Sequence, residues 1–284
     1  MSENKITNDE MCEFLGWYAG DGCISINERY SEFALTGDNN DEFSFYENVI
    51  IPKFNRLFTQ YLKKPVVLKK YTTVGVCGIY LFDKTFVKML QTNFHLQAGK
   101  KTKIEVPLLV QTANEKKHFL RGLCDTDGSI YFCKSNFKTK HESLFTIFHY
   151  KPKIKIATIS DVLIKQVYDM LCSLGFSPRL SNPVKQKRNE FPMYGVVLDT
   201  KKDVQKWLED IGFRSQKHLT KIKIWEDFGF CPPHTTLRQR IEILNGNLDP
   251  LTFYPKYRYL SLDKIKEMLG EFLNITRMPY KKHK

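Results

Sequence analysis

Apolar and polar positions follow the same succession twice along the chain. Each round opens on Thr-x-x-Glu, as Thr7 with Glu10 and as Thr112 with Glu115. This spacing lets the threonine side chain and the glutamate satisfy each other's backbone N–H groups, so it predicts a helix start. Each helix then runs through Phe-Leu to a glycine, Phe14-Leu15-Gly16 in the first round and Phe119-Leu120-Arg121-Gly122 in the second. Each closes on Asp-Gly, at Asp21-Gly22 and Asp127-Gly128, the two aspartates lying 106 residues apart. Glycine just past a helix is the usual stop.

The patterns that follow also correspond. Cys23-Ile24-Ser25-Ile26-Asn27 and Ser129-Ile130-Tyr131-Phe132-Cys133 alternate with a period of two, which predicts half-buried strands. Second strands are expected near Glu32–Thr36 and Lys153–Thr158. Amphipathic helices are expected around Glu42–Tyr61, where Pro52 should kink or break the helix, and around Asp161–Leu174. Strand pairs come next, Val66–Tyr71 with Val76–Phe82 and Arg179–Lys187 with Tyr194–Asp199. Short helices close each round at Lys84–Asn93 and Lys202–Ile211. The order is αββαββα, twice. It predicts an α+β fold with one repeat over residues 1–107, a second over 108–227 and a C-terminal helical extension over 228–284. In the extension, helices are expected around Thr236–Leu244 and Leu262–Leu273, with the extension packed on the second repeat.

Composition adds a partner. In 284 residues, 42% are hydrophobic and 26% charged, ordinary for a globular protein, but the net charge is +13. Such a surplus points to a polyanion, most often nucleic acid. The basic residues are spread along the chain and no apolar run reaches membrane-spanning length, so no membrane partner is expected. The opening decapeptide has no apolar signal core, and the seven cysteines form no CxxC pair. The expectation is reduced, buried thiols in an intracellular compartment, either cytoplasm or an organelle. No GxxxxGK[ST] loop or HExxH helix is present, so neither nucleotide hydrolysis nor zinc proteolysis is supported.

The nonamer-like stretches Phe14-Leu15-Gly16-Trp17-Tyr18-Ala19-Gly20-Asp21-Gly22 and Leu120-Arg121-Gly122-Leu123-Cys124-Asp125-Thr126-Asp127-Gly128 resemble the motifs of the LAGLIDADG homing endonucleases in their monomeric two-motif form. The resemblance covers roughly Thr7 to Trp225. Ala19 departs from the family's acidic consensus, and Asp125 keeps it. The resemblance implies two pseudo-symmetric repeats forming a saddle of antiparallel sheets. It further implies a monomer that cuts both strands of a long asymmetric duplex and leaves short 3′ overhangs. Lys101 and Lys217 stand where the family keeps a catalytic lysine.

The residues argue in the same direction. Gly16 and Gly122 cost about 1 kcal/mol each inside a helix, so equivalent placement suggests that the two helices pack backbone to backbone. Asp21 and Asp127 then meet at two helix C-termini, where the dipole and mutual repulsion both oppose ionisation. A divalent cation relieves both problems, and oxygen donors select Mg²⁺, with Mn²⁺ or Ca²⁺ substituting in binding. Gly20 and Thr126 would add backbone carbonyls. Paired carboxylates with metal ions are equipment for phosphodiester hydrolysis.

Strand alternation turns Ser25, Asn27 and Arg29 in the first repeat, and Tyr131 and Ser135 in the second, away from the helices. Lys69, Tyr71, Lys153, Lys155, Arg179, Lys185, Lys187 and Arg188 are further candidates for contact with double-stranded DNA. Trp17, Phe14 and Phe119 are expected in the core. The chain has no cysteine at its first position and does not end in His-Asn, so self-splicing is not expected. A free-standing protein encoded within an intron is. Two readings stay open at this stage: a metal-dependent endonuclease, and a non-cleaving nucleic-acid-binding protein or RNA maturase that assists intron splicing. The presence of both acids favours the first.

Overall fold

The computed structural model describes residues 7–99, 101–135, 144–184 and 191–273. It divides into two compact units, Met1–Ile130 with Lys153–Leu219, and Tyr131–Pro152 with Thr220–Lys284.

The first unit holds both repeats' opening helices. Helix α1 spans Asn8–Asp21, with the Thr7 side chain accepting from the Glu10 N–H. It leads directly into strands β1 (Gly22–Ile26) and β2 (Ser31–Asp38). A helical segment follows, made of α2 (Phe43–Phe45), a π turn (Tyr46–Ile50) and α3 (Ile51–Leu57). The expected break at Pro52 is absorbed differently. The chain stays helical, and the widened turn immediately before the proline takes up the register shift caused by its missing N–H and its ring. Strands β3 (Lys69–Tyr71) and β4 (Val76–Phe82) and helix α4 (Lys84–Phe94, capped by Asp83) complete the repeat. The strands form an antiparallel sheet in the order β1-β2-β4-β3.

The second round begins with α5 (Ala113–Thr126), which carries a full Thr112/Glu115 capping box. Strand β5 (Gly128–Cys133), short helix α6 (Leu144–Ile147), strand β6 (Lys151–Thr158) and helix α7 (Asp161–Ser173) come next. Then follow β7 (Arg179–Val184), β8 (Met193–Leu198) and α8 (Lys201–Asp210). Their sheet has the matching order β5-β6-β8-β7. The fold is therefore α+β, with two antiparallel four-stranded sheets and flanking helices. Phe14, Trp17 and Phe119 are fully buried, and Phe14 packs edge-on against Phe54 and Phe58. Ile24, Ile130 and Phe132 are buried as the alternation predicted, but Ile26 is 50% exposed because β1 ends there.

Helix α9 (Gln216–Phe228) was not expected from the pattern. It starts in the first unit and ends in the second. The second unit also contains α10 (Leu237–Leu244) and α11 (Leu262–Leu273). Its own core gathers Ile147, Phe148 and Tyr150 with Phe230, Leu251, Tyr254, Ile265 and Leu269, so residues beyond 228 share a core with the segment around α6. The seven cysteines are free thiols, but Cys23 and Cys172 are exposed and Cys133 is half-buried, contrary to uniform burial. Their strand and helix registers turn Cys23 and Cys172 outward. Among the described residues no helix is long and apolar enough to cross a membrane.

Candidate active site

Helices α1 and α5 touch through their glycines. A Cβ on Gly16 would lie 2.2 Å from the Phe119 carbonyl, and one on Gly122 would lie 2.2 Å from the Glu13 carbonyl. Any side chain there would force the backbones apart. Closer to the C-termini, a Cβ on Gly20 would fall 2.0 Å from the Thr126 hydroxyl. The same approach brings Asp21 beside Asp127.

The pair meets in an unfavourable place, and the neighbouring groups show how the fold deals with it. Burial, then Glu42, then Asp127 push the Asp21 carboxyl up to about 7, against Lys217 and a hydrogen bond from Tyr46. That bond, Tyr46 Oη to Asp21 Oδ2, is 2.9 Å long. Asp127 keeps contact with solvent. Crowding by protein raises its carboxyl above the ordinary range, while Lys101 and then Lys217 pull it down. Both expected lysines therefore act on the acids. Lys217 Nζ donates to the Thr126 carbonyl at 2.6 Å and to Glu42. The Thr126 oxygen, expected to face a metal, thus accepts from Lys217 through one of its two lone pairs. The Gly20 carbonyl lies in the last turn of α1, where helical carbonyls lack an intrahelical partner.

Glu42 and Tyr46 are site residues that the sequence reading missed. Glu42 is buried just after β2, and its Oε2 accepts from the Asp38 N–H at 2.7 Å. Tyr46 opens the π turn. Their one sequence signal is the acidic run Asp38-Asn39-Asn40-Asp41-Glu42 ahead of the second helical segment. Nothing local says that it folds back on Asp21.

Each lysine arrives by a different route. In the first repeat, Tyr18 Oη donates to the Gln97 carbonyl (3.0 Å) and the Gly99 N–H to the Ile24 carbonyl (3.1 Å). These bonds hold Gln97 and Gly99 ahead of Lys101, which sits in one 3₁₀ turn, Lys101–Lys103. In the second, the fully buried Asp125 carboxylate accepts N–H bonds from Arg214 (3.0 and 3.1 Å) and Ser215 (3.0 Å), at the start of α9. Burial pushes Asp125 up to about 7, and these N–H bonds oppose the shift. The Arg214 side chain in turn reaches buried Glu13 at 2.6 Å, alongside Arg121 at 2.9 Å and Lys53. Burial raises the Glu13 carboxyl, but Arg121, Arg214 and Lys53 overcome it and bring the value to about 2.

Two side-by-side carboxylates and a helix-end carbonyl form an all-oxygen donor set. Among the described residues, no three His, Cys, Asp or Glu side chains form a complete cage for an ion. The donor set suits a hard divalent cation. It does not resemble a zinc cage.

The expected DNA-contact residues divide. On the first sheet, Ser25 shares an outer face with exposed Cys23. Lys69 lies over the Tyr80 ring and donates to its carbonyl at 3.4 Å. Tyr71 packs edge-on to Tyr80 at 4.9 Å. Asn27 is outside β1, and its Oδ1 accepts from the Arg29 and Tyr30 N–H groups (2.9 Å each), so its side chain shapes the turn. Arg29 is exposed on that turn. On the second sheet, Lys153 and Lys155 are half-exposed in β6, and Arg179 is exposed in β7. Lys153 and Arg179 pair with Asp199 at 3.6 and 3.2 Å. Tyr131 is half-buried in β5. Ser135 is committed to the Tyr150 hydroxyl. Lys185, Lys187 and Arg188 lie outside the described residues.

Residues 114–212 match the LAGLIDADG-like domain family. A curated relative, the replication factor C small subunit of Methanocaldococcus jannaschii, is 23% identical over 276 residues, which is 97% of this chain but 12% of the relative's length. The chain therefore spans about an eighth of that protein. Among solved structures, I-DmoI in complex with DNA and Mn is 15% identical and aligns over 72% of this chain and 97% of its own, with a TM-score of 0.48. I-SmaMI is 12% identical and aligns over 96% and 100%, with a TM-score of 0.49. The N-terminal LAGLIDADG domain of WhiA is 16% identical over 75% and 86%, with a TM-score of 0.41. The matched LAGLIDADG-like domain thus lies in the second half of the chain, and the same glycine-bearing, Asp-Gly-terminated helix opens the first half.

Proposed function

We propose that the chain is a site-specific DNA endonuclease that uses a divalent cation, Mg²⁺ in the first place, to break both strands of a long asymmetric target and leave short 3′ overhangs. The observation that carries this reading is the meeting of Asp21 and Asp127 at two adjoining helix ends, with Lys101 and Lys217 acting on them, in a chain of net charge +13. Asp21, Asp127 and the Gly20 carbonyl would hold the metal, whose chemistry is to polarise a phosphodiester and lower the pKa of a bound water. Tyr46 fixes the Asp21 carboxylate by its hydrogen bond. Glu42 holds the Lys217 ammonium beside the acids, where it can stabilise charge developing on the phosphate. Lys101, which draws the Asp127 carboxyl down, would do the same on that side. The protein acts as a monomer on double-stranded DNA in a reducing, intracellular compartment, in keeping with intron homing. Mn²⁺ or Ca²⁺ would support binding.

The test is incubation with Mg²⁺ and a randomised duplex library, followed by sequencing of the ends released. Wild type is expected to yield cut sites sharing one long motif. Asp21→Asn and Asp127→Asn are each expected to lose double-strand cutting by at least ~10³-fold, since each removes a ligand, while retaining duplex binding. Duplex or intron-RNA binding without any cleavage by the wild type would instead make the chain a non-cleaving binder or a maturase.

A further inference from the structure

The outer faces of the two sheets differ in kind. Register places Lys155 opposite Val197 and Arg179 opposite the same Val197, so these cations share one face of the second sheet. A Cβ on Gly195 would meet Ser181 Oγ at 2.6 Å and Lys155 Cε at 3.0 Å, which puts Ser181 on that face too. Lys153, two residues before Lys155, follows by alternation, and Asp199 answers Lys153 and Arg179.

The first sheet presents something else. Cys23 stands opposite Ala34, Ala34 opposite Tyr80, and Thr36 opposite Gly78, which in turn faces Lys69. Tyr71 and Tyr80 pack together beside Lys69. Ser25 faces Glu32. Lys69 therefore shares its face with the acids Glu32 and Asp38, the latter opposite Val76, which in turn faces Tyr71, and between them lie hydroxyl, thiol, methyl and ring. The connection from β3 to β4, Thr72-Thr73-Val74-Gly75, carries no charge.

We propose that the two sheets hold their halves of the duplex by different physical means. The second sheet supplies the salt-dependent grip, through phosphates and guanine edges. The first reads an A·T-rich half through neutral hydroxyl, methyl and ring contacts. This rests on the endonuclease reading and deepens it. Arg and Lys pair best with guanine O6 and N7, whereas apolar groups and threonine methyls suit the thymine methyl. Each phosphate neutralised changes the slope of log K against log[salt] by about 0.9, so the division has a direct readout.

The experiment uses the full chain and fluorescence anisotropy on a random-sequence duplex across a KCl series with Ca²⁺. It is followed by selection of preferred sites from a randomised duplex pool. The Lys153→Ala/Lys155→Ala/Arg179→Ala variant is expected to lose about 2 to 3 from the salt slope, and the Lys69→Ala/Tyr71→Ala variant less than about 1. Asp199→Asn is expected to tighten binding several-fold by releasing its two cations, an effect that a folding defect would not produce. Selected sites are expected to have one A·T-rich half, whose preference relaxes only in the first-sheet variant. Equal slope losses in the two variants, unchanged affinity in Asp199→Asn, or sites without an A·T-rich half overturn the division alone. Absence of duplex binding by the wild type overturns both the division and the endonuclease reading.

Discussion

Helices α1 and α5 share their glycines and their terminal aspartates, yet they carry buried acids at different heights. Glu13 of α1 stands where α5 has Phe119, and Asp125 of α5 stands where α1 has Ala19. Both acids grasp the same piece of chain. The Arg214 side chain goes to Glu13 and its backbone N–H goes to Asp125. The result is a fixed start for α9 and hence a fixed Lys217. Among its described residues the first repeat has no such helix, and Lys101 sits in a 3₁₀ turn that follows the Tyr18–Gln97 bond. Duplication thus kept what the paired acids need, the close helix crossing, and let the means of presenting each lysine diverge.

The shared part breaks first. Gly16→Ala or Gly122→Ala gains about 1 kcal/mol of helix propensity. Each also drives a Cβ into backbone oxygen, and the overpacking should outweigh that gain, for a net loss of ~3 kcal/mol in unfolding free energy measured with urea. Similar losses at both positions would show that the crossing is symmetric, and a harmless alanine at either would refute it.

The divergent acids come next. Glu13→Gln leaves Arg121, Arg214 and Lys53 without their partner and should cost about 3 kcal/mol. The Glu13 carboxyl is held near 2, below its ordinary 4.5. Its stabilisation is therefore full above about pH 4.5 and is lost as pH falls toward about 2. A urea series from neutral to acid pH should show the difference between wild type and variant shrinking across that window. A constant difference would disprove the charge assignment.

Asp125→Ala leaves the Arg214 and Ser215 N–H groups buried and unpaired, a loss of about 1–3 kcal/mol. Because this loosens the start of α9, cleavage rate should fall further than duplex affinity. A parallel loss of both would mean that Asp125 serves stability alone. The smallest contrast lies at the helix starts. Thr112→Ala removes a complete capping box and should cost about 1 kcal/mol, and Thr7→Ala, which removes a single 3.4 Å bond, about half of that. Thermal melts of the two variants would show equal losses if the two caps were equivalent.

Much of this was legible in the sequence because the signals were local. The capping threonines, the Asp-Gly stops, the strand alternation and the helices at Lys84–Phe94 and Leu262–Leu273 all announce themselves within a few residues. So do the paired glycines, once the two rounds are aligned. What escaped depends on contacts between distant segments. Glu42 reaches the site only because β2 returns beside α1, and Glu13 looks like one more polar residue until Arg214, 201 positions on, is seen against it. That Asn27 lies just past β1, with its Oδ1 accepting from its own turn, is invisible to a strand pattern, which ignores the side chain's ability to bond nearby backbone. The pairing of Lys153 and Arg179 with Asp199 was equally hidden, because strand register brings together residues that are 46 and 20 positions apart.

The paired acids can be tested most directly by anomalous diffraction from crystals of the full chain bound to a selected duplex in Mn²⁺. The account predicts an anomalous peak within about 2–2.5 Å of carboxylate oxygens of both Asp21 and Asp127, and against a DNA phosphate. Peaks confined to other parts of the protein, with duplex bound and these two carboxylates bare, would contradict it.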